Sequence, residues 1–167
     1  MCLLRKVAKF KPPRKDLKLI YIQYVRSILE QYCVVWHSSL TFENKEDIER
    51  VQKNALRIIL QNEYTQYEKA LDLLNLDSLE DRRTHLSLRF ALKCKNNPIM
   101  STLFEHKEKI HEMTLRKTEI FKVNTANTER YRNSAVPYMQ RLLNEHEEKN
   151  RMKRHVRKYH LVLFLPC

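Results

Sequence analysis

Apolar residues recur at helical spacing near the start of the chain. After Pro12 and Pro13 they fall on one face of a 3.6-residue period, namely Leu17, Ile20, Tyr21, Tyr24, Val25, Ile28, Leu29 and Tyr32. This pattern predicts an amphipathic helix whose apolar face packs into a core. Beyond a loop at residues 36–43, Asn44 and Asp47 can open a second helix with the apolar side Ile48, Val51, Ala55, Ile58 and Ile59.

Two further helices are predicted before residue 97. A short one covers residues 65–74, around Tyr67, Ala70, Leu71 and Leu74. Ser78 and Asp81 then have the spacing of a capping box, in which the side chain of each residue accepts the other's backbone N–H at a helix start. The helix they open runs to about Lys95, with the apolar edge Leu79, Leu86, Phe90 and Cys94.

The pattern weakens after Pro98. A short helix is predicted at 99–105, loop or partial disorder at 106–132, and a last helix at 134–144, followed by a basic stretch and an apolar tail at 161–165. The sequence therefore predicts an all-α protein, a small irregular bundle of four to five helices with basic, partly flexible termini. Its predicted segments are a basic leader (1–13), a helical core (14–97), a weakly ordered connector (98–133) and a C-terminal helix with a basic tail (134–167).

Composition narrows the chemistry. The chain has no glycine, which argues against extensive β-hairpins and against the phosphate-cradling loops of nucleotide-binding enzymes. Its aspartates are isolated from one another, so no paired-carboxylate metal centre for phosphoryl transfer is evident; they are Asp16, Asp47, Asp72, Asp77 and Asp81. We therefore expect no enzyme activity and no cofactor.

The net charge of +12 lies at the two ends of the chain. Residues 1–18 hold seven basic residues and one acidic residue, and residues 149–158 hold six basic residues and no acid. Basic ends on an electrically balanced body favour contact with a polyanion, because each cation that neutralises a phosphate releases a counterion. The candidate nucleic-acid-binding residues are Arg5, Lys6, Lys9, Lys11, Arg14, Lys15, Lys153, Arg154, Arg157 and Lys158. Solvated tails or a nuclear-import signal would give the same charge pattern.

The tyrosines, the paired arginines, and the histidines and cysteines each allow a structural as well as a functional interpretation. Tyr21, Tyr24 and Tyr32 are typical of core positions but could stack on bases, and Arg82 and Arg83 could grip phosphate or pair with an acid. Cys94 with His106 and His111, or His155 with His160, lacks the paired spacing of a zinc site, so no metal is expected. The scattered cysteines, and the absence of a signal-peptide or membrane-span pattern, favour an intracellular protein, nuclear or cytoplasmic.

Several blocks together resemble the region after the polymerase core in non-LTR (LINE-type) retrotransposon reverse transcriptases. The first block is residues 22–30, IQYVRSILE, followed by Val35-Trp36-His37 and Leu40-Thr41; the second is residues 48–59, IERVQKNALRII. In the same order come Tyr67, Ala70-Leu71, LEDRR at 79–83, Phe90-Ala91, RYRNSAVPY at 130–138 and Leu143-Asn144. The resemblance spans about residues 3–158. It departs from the family in that Gln31 separates Glu30 from Tyr32, and in that no CCHC zinc knuckle follows.

The resemblance implies a thumb-like helical region that helps to hold template and primer, without the polymerase and endonuclease centres. The expected function is sequence-independent binding of RNA, DNA or an RNA–DNA hybrid through the basic ends. One alternative is a structural or interaction module that binds a reverse transcriptase palm domain or associates with itself through apolar surface. Another is the remnant of a decayed element with no selected activity.

Overall fold

The chain is an all-α protein, as its periodicity predicts. The computed structural model describes residues 2–106 and 120–163, with side chains as far as residue 154. Within these ranges helices dominate, and the one strand-like feature is an isolated antiparallel bridge between His106 and Phe121. The helices are more numerous than the four to five predicted, because some are segments of four to seven residues that a helical period does not separate.

Two compact units divide the chain, Met1–Leu86 and Ser87–Cys167. The first unit holds α1 (Cys2–Ala8), α2 (Arg14–Ile20), α3 (Ser27–Glu30), α4 (Cys33–Trp36), α5 (Phe42–Leu60), α6 (Tyr67–Leu74) and the start of α7 (Leu79–Lys95). A π-helical turn, Tyr21–Arg26, joins α2 to α3, and 3₁₀ turns follow α4 at His37–Ser39 and α5 at Gln61–Glu63. The second unit holds the end of α7, a 3₁₀ turn at Met100–Leu103, α8 (Glu129–Arg132) and α9 (Ala135–Leu163).

The core of the first unit lies where α1, α2, α5 and α6 meet. Its fully buried members are Leu4, Leu17, Tyr21, Ala55, Leu56, Ile59, Leu60, Ala70 and Leu74. Leu4 belongs to the basic leader, which sequence analysis expected to be a loose end. Instead the leader forms α1, because its one fully buried apolar side chain docks against α5 and ties the helix to the core.

The π-helical turn changes which face of the first long helical segment is buried. Up to Tyr21 the buried positions follow the predicted α-helical phase. The partly buried residues that follow are Ile22, then Val25 and Arg26, then Leu29 and Glu30. A π turn accommodates one residue more than an α turn and so rotates the following side chains. As a result Tyr24, Ile28 and Tyr32, which were predicted to be core, are exposed.

Local signals placed the middle helices correctly, with one shift. Ser78 and Asp81 interact as the capping-box spacing predicts, since the backbone N–H of Asp81 donates to Ser78 Oγ over 3.1 Å. The Asp81 carboxylate accepts the Ser78 hydroxyl over 2.7 Å. The second predicted helix, α5, begins at Phe42 rather than at Asn44 or Asp47. Its N-cap is Thr41, whose hydroxyl oxygen accepts the backbone N–H of Asn44.

The last helix is far longer than the eleven residues predicted. α9 continues past Asn144 through the basic stretch to Leu163. Two side chains one turn apart on α9 bind the backbone of residues 120–124. Asn144 Oδ1 accepts the backbone N–H groups of Ile120 and Phe121 at 3.0 and 2.9 Å, and Gln140 Oε1 accepts that of Asn124 at 3.0 Å.

These amides organise the core of the second unit. Asn144 Nδ2 also donates to the carbonyl of Phe121, and Gln140 Nε2 donates to that of Leu103. Phe121 is thereby held against Phe104 in an edge-to-face pair, and both rings are buried. The central part of the predicted connector, residues 107–119, lies outside the described residues. None of the helices that the structure describes has the length and apolarity of a membrane span.

Candidate nucleic-acid interface

Six basic side chains of the first unit project from α1, from the linker after it and from the start of α2. Arg5, Lys6 and Lys9 are exposed on and just after α1, while the other three, Lys11, Arg14 and Lys15, are exposed on either side of the double proline. No acidic residue occurs before Asp16. We call these six exposed cations, which fall within eleven consecutive residues, the N-terminal basic surface.

This surface is fixed to the fold by apolar contacts rather than carried on a free tail. Leu4 is completely buried and Leu17 nearly so, and both belong to the same core cluster as Leu56. Between the two helices Lys11 adopts a left-handed conformation with φ 51°, and Pro13 precedes α2. The backbone that carries the cations therefore belongs to a folded scaffold, which reduces the entropy lost when they engage a polyanion.

One of the six cations already has an acidic partner. Arg14 forms an ion pair with Glu63 in the 3₁₀ turn that follows α5, and both side chains are about half exposed. An exposed pair of this kind contributes little to stability and exchanges readily with a phosphate partner. Arg14 can therefore pair either with Glu63 or with a phosphate of a ligand.

The second basic cluster lies on α9. Arg151, Met152, Lys153 and Arg154 are four consecutive residues and all are exposed. Because an α-helix turns once in 3.6 residues, this stretch of α9 is open on every side. Arg154 lies 3.9 Å from Glu147, whose pKa is lowered chiefly by the hydrogen bond that Lys95 donates to it. The side chains of Arg157 and Lys158 lie outside the described residues.

Residues of the family-like blocks meet in the interior of the first unit. The hydroxyl of Tyr67 donates to the Glu49 carboxylate and accepts from Gln52 Nε2 over 2.9 Å. Glu49 also accepts the backbone N–H of Leu79, at the start of α7, over 3.1 Å. These contacts join α5, α6 and α7, so the IERVQ block builds the fold and is not an exposed site.

A second polar cluster connects α3 to α7. Glu30 pairs with Arg82 of the LEDRR block and, at 3.4 Å, with Arg26. The side chains of Glu30 and Arg26 are only 14% and 13% exposed, and burial lowers the pKa of Arg26. Arg82 therefore holds two helices together, which makes it a poor candidate for the phosphate contact considered from sequence.

Arg83, the neighbouring arginine, is fully buried. Its Nε donates to Nδ1 of His37 over 3.3 Å, and its guanidinium lies 5.8 Å from the centre of the Trp36 ring. His37 Nε2 is 3.3 Å from the hydroxyl of Thr84. Burial lowers the pKa of His37 to about 4 and also lowers that of Arg83. Like Arg82, Arg83 stabilises the fold. Its partner could not be predicted from the sequence because His37 is 46 positions away.

The tyrosines considered as stacking platforms divide into two groups. Tyr21 is buried, and burial raises the pKa of its hydroxyl. Tyr24 and Tyr32 are 58% and 75% exposed. Neither has an exposed cation nearby in sequence, since no charged residue between positions 19 and 39 is exposed. Residues 19–39 therefore offer no exposed cation to contact a phosphate beside a base stacked on Tyr24 or Tyr32.

The histidines and cysteines considered as metal ligands do not converge within the described residues. No group of three potential ligand side chains occurs there, and Cys94 Sγ instead lies 3.6 Å from the sulfur of Met100. His106 packs on the ring of Phe121. His111 and the side chains of His155 and His160 lie outside the described part of the chain.

Comparisons with known proteins leave the resemblance untested. No known protein family matches the chain, and no curated protein or solved structure is similar to it. The class defined by the observations is thus an all-α protein with an anchored N-terminal basic surface and a basic stretch on its last helix. The relation to reverse transcriptases stays a prediction.

Proposed function

We propose that this protein binds nucleic acid without sequence specificity, through the N-terminal basic surface and the basic stretch of α9. In this proposal it acts as a non-catalytic, thumb-like C-terminal portion of a LINE-type reverse transcriptase. The observation that carries the proposal is the anchoring of α1 by Leu4, which leaves its basic side chains exposed in a stretch without acids. Because Leu4 is part of the core, the basic leader is a folded element rather than a solvated tail.

Several features favour contact with phosphates rather than reading of bases. The exposed cations are lysines and arginines on helices and on the linker between α1 and α2. Such side chains neutralise phosphates, which carry no sequence information, and release counterions. Binding therefore depends steeply on salt and weakly on sequence. An RNA–DNA hybrid is the expected ligand of a thumb-like module.

The direct test is fluorescence anisotropy of the purified chain with a labelled RNA stem, duplex DNA and an RNA–DNA hybrid at two salt concentrations. We expect binding to all three, weakening steeply with salt and strongest for the hybrid. Equal affinity for the three ligands would support polyanion binding but remove the template–primer role. Absence of binding at low salt would overturn the proposal.

A further inference from the structure

In the stretch from residue 19 to residue 39 the charged side chains face the interior and the exposed side chains carry no charge. Its charged side chains, Arg26 and Glu30, are turned inward and paired with each other, and His37 is buried. Every exposed position is uncharged, namely Leu19, Gln23, Tyr24, Ser27, Ile28, Gln31, Tyr32, Val35 and Ser39. In a chain with 31% charged residues, an exposed stretch of this length without a charge is unusual. We call these nine residues the neutral face.

Large apolar side chains occupy the middle of the neutral face. Tyr24, Ile28, Tyr32 and Val35 are each between 58% and 75% exposed. Since a buried tyrosine covers about 150–250 Å², the two tyrosines alone present roughly 250 Å², and Ile28 and Val35 add to it. Tyr24, Ile28 and Tyr32 follow one another four residues apart, and exposed apolar patches larger than a few hundred Å² mark interaction sites.

The fold holds this face in a defined shape. The π-helical turn Tyr21–Arg26 directs Tyr24 and Ile28 outward, because it moves Arg26 and Glu30 into the interior. Beyond the end of α3, Tyr32 has φ 51°, a left-handed conformation that is uncommon for a tyrosine. The indole N–H of Trp36 donates to the carbonyl of Gln31 over 2.9 Å and so ties α4 to the end of α3.

We propose that the neutral face is the interface of a homodimer, in which it packs against the same face of a second copy. An interface between identical faces must be complementary to itself. Here the polar groups are amides and hydroxyls, from Gln23, Gln31 and the tyrosines, and each can both donate and accept a hydrogen bond. Two copies can therefore pair these groups without bringing like charges together.

The absence of charge favours a second copy as the occupant. The neutral face has no exposed charged side chain, so packing it against the same face of a second copy places no like charges opposite each other. The same lack of cations makes the face unsuited to nucleic acid. Five of the nine residues are large and apolar, and they would form the centre of an interface to which each partner typically contributes about 800 Å². This inference is independent of the proposed nucleic-acid binding.

Sedimentation velocity under reducing conditions and at physiological salt tests the dimer between about 1 µM and about 1 mM chain. We expect a monomer–dimer equilibrium for the natural chain. Ile28→Glu and Ile28→Lys place two like charges across the centre of the interface, so each should weaken dimerisation by roughly 100-fold or more. Ile99→Glu is the matched control, because Ile99 is 84% exposed but lies outside the neutral face, and it should dimerise like the natural chain.

A mixture of the two Ile28 variants separates a direct effect from misfolding. Glutamate on one copy and lysine on the other attract, so the equimolar mixture should recover the dimer that neither variant forms alone. A natural chain that stays monomeric throughout the range overturns the proposal, as does an Ile99→Glu variant that dimerises as poorly as Ile28→Glu. A mixture that stays monomeric overturns the face-to-face arrangement.

Discussion

The hydroxyl of Tyr21 donates a hydrogen bond to the side-chain oxygen of Gln52, 31 residues later in the chain. Both side chains are fully buried. The amide nitrogen of Gln52 donates to the hydroxyl of Tyr67 and to the backbone carbonyl of Asp77, each over 2.9 Å. A single glutamine on α5 therefore satisfies polar groups from the π-helical turn, from α6 and from the segment before α7. The network also keeps its own donors and acceptor paired.

Removing the Tyr21 hydroxyl should destabilise the first unit. In Tyr21→Phe the ring remains but Gln52 Oε1 loses its partner inside the core, so we expect the free energy of unfolding to fall by about 1–3 kcal/mol. The matched control is Tyr24→Phe, because Tyr24 is 58% exposed and its loss of a hydroxyl should change stability by less than about 0.5 kcal/mol. Urea unfolding of both variants measures the difference, and equal effects would contradict the role given to Tyr21.

Neutralising Glu30 should loosen the connection between α3 and α7. Glu30→Gln keeps the shape of the side chain but leaves the poorly exposed Arg26 and the partly exposed Arg82 without their carboxylate, so stability should fall by about 2–3 kcal/mol. The control is Asp47→Asn, whose ion pair with Arg50 lies on the surface. That variant should differ from the natural chain by at most about 0.5 kcal/mol. The prediction fails if chemical denaturation ranks the two variants equally.

Acid should weaken the fold through His37. Burial lowers its pKa from 6.5 to about 4, so below pH 6.5 the unfolded chain takes up a proton that the folded chain refuses. The neutral imidazole thus contributes stability that is fully present above pH 6.5 and declines as pH falls toward 4. Between about pH 7 and about pH 5 the loss should be on the order of 2 kcal/mol.

Other groups titrate over the same range, so a variant without the imidazole isolates the effect. His37→Asn retains an acceptor for Arg83 but does not titrate, and its stability should fall less between the two pH values than that of the natural chain. Denaturant titrations at both pH values give this difference directly. A natural chain and variant with the same pH dependence would show that His37 is not the responsible group.

Leu4 should be the residue that keeps the basic leader folded. Leu4→Ala removes the buried anchor of α1 and should lower the free energy of unfolding by about 2–5 kcal/mol. In native buffer, α1 should also become accessible to trypsin at Arg5, Lys6 and Lys9 before the rest of the unit is cleaved. Leu3→Ala, at a half-exposed position beside it, should leave both stability and the cleavage pattern nearly unchanged. Rapid cleavage of the natural leader would contradict the anchored surface.

Sequence periodicity predicted the fold class, and local chemistry predicted helix starts where one residue pair sufficed. The capping box of Ser78 and Asp81 is such a pair, since both partners are within one turn. The prediction that Tyr24, Ile28 and Tyr32 lie in the core was wrong. The π turn contains one residue more than an α turn and so changes which side chains face inward, and the spacing of apolar residues does not reveal it. The predicted end of the last helix, at residue 144, was also wrong. Lysine and arginine are good helix formers, so a basic stretch without apolar periodicity can still continue α9.

The candidate site was predictable in part. The charge count singles out the N-terminal cations, but nothing local indicates that Leu4 buries itself in a core made by residues 17–74. The reverse holds for Arg82 and Arg83, which look like surface cations in sequence. Their partners, Glu30 and His37, are 52 and 46 positions away, so only the folded chain identifies them. Long-range polar pairing is the information that a one-dimensional pattern lacks.

The measurement that tests the central claim most directly is the salt dependence of affinity for an RNA–DNA hybrid in three proteins. They are the natural chain, a variant with Arg5, Lys6, Lys9 and Lys11 changed to glutamine, and a control with Lys69, Arg89, Lys93 and Arg130 changed to glutamine. Both variants lose four positive charges, but only the first loses them from the N-terminal basic surface. The account predicts that the slope of log affinity against log salt falls by up to about 3–4 in the first variant and by much less in the control. Equal slopes in all three proteins, or no binding by the natural chain, would contradict it.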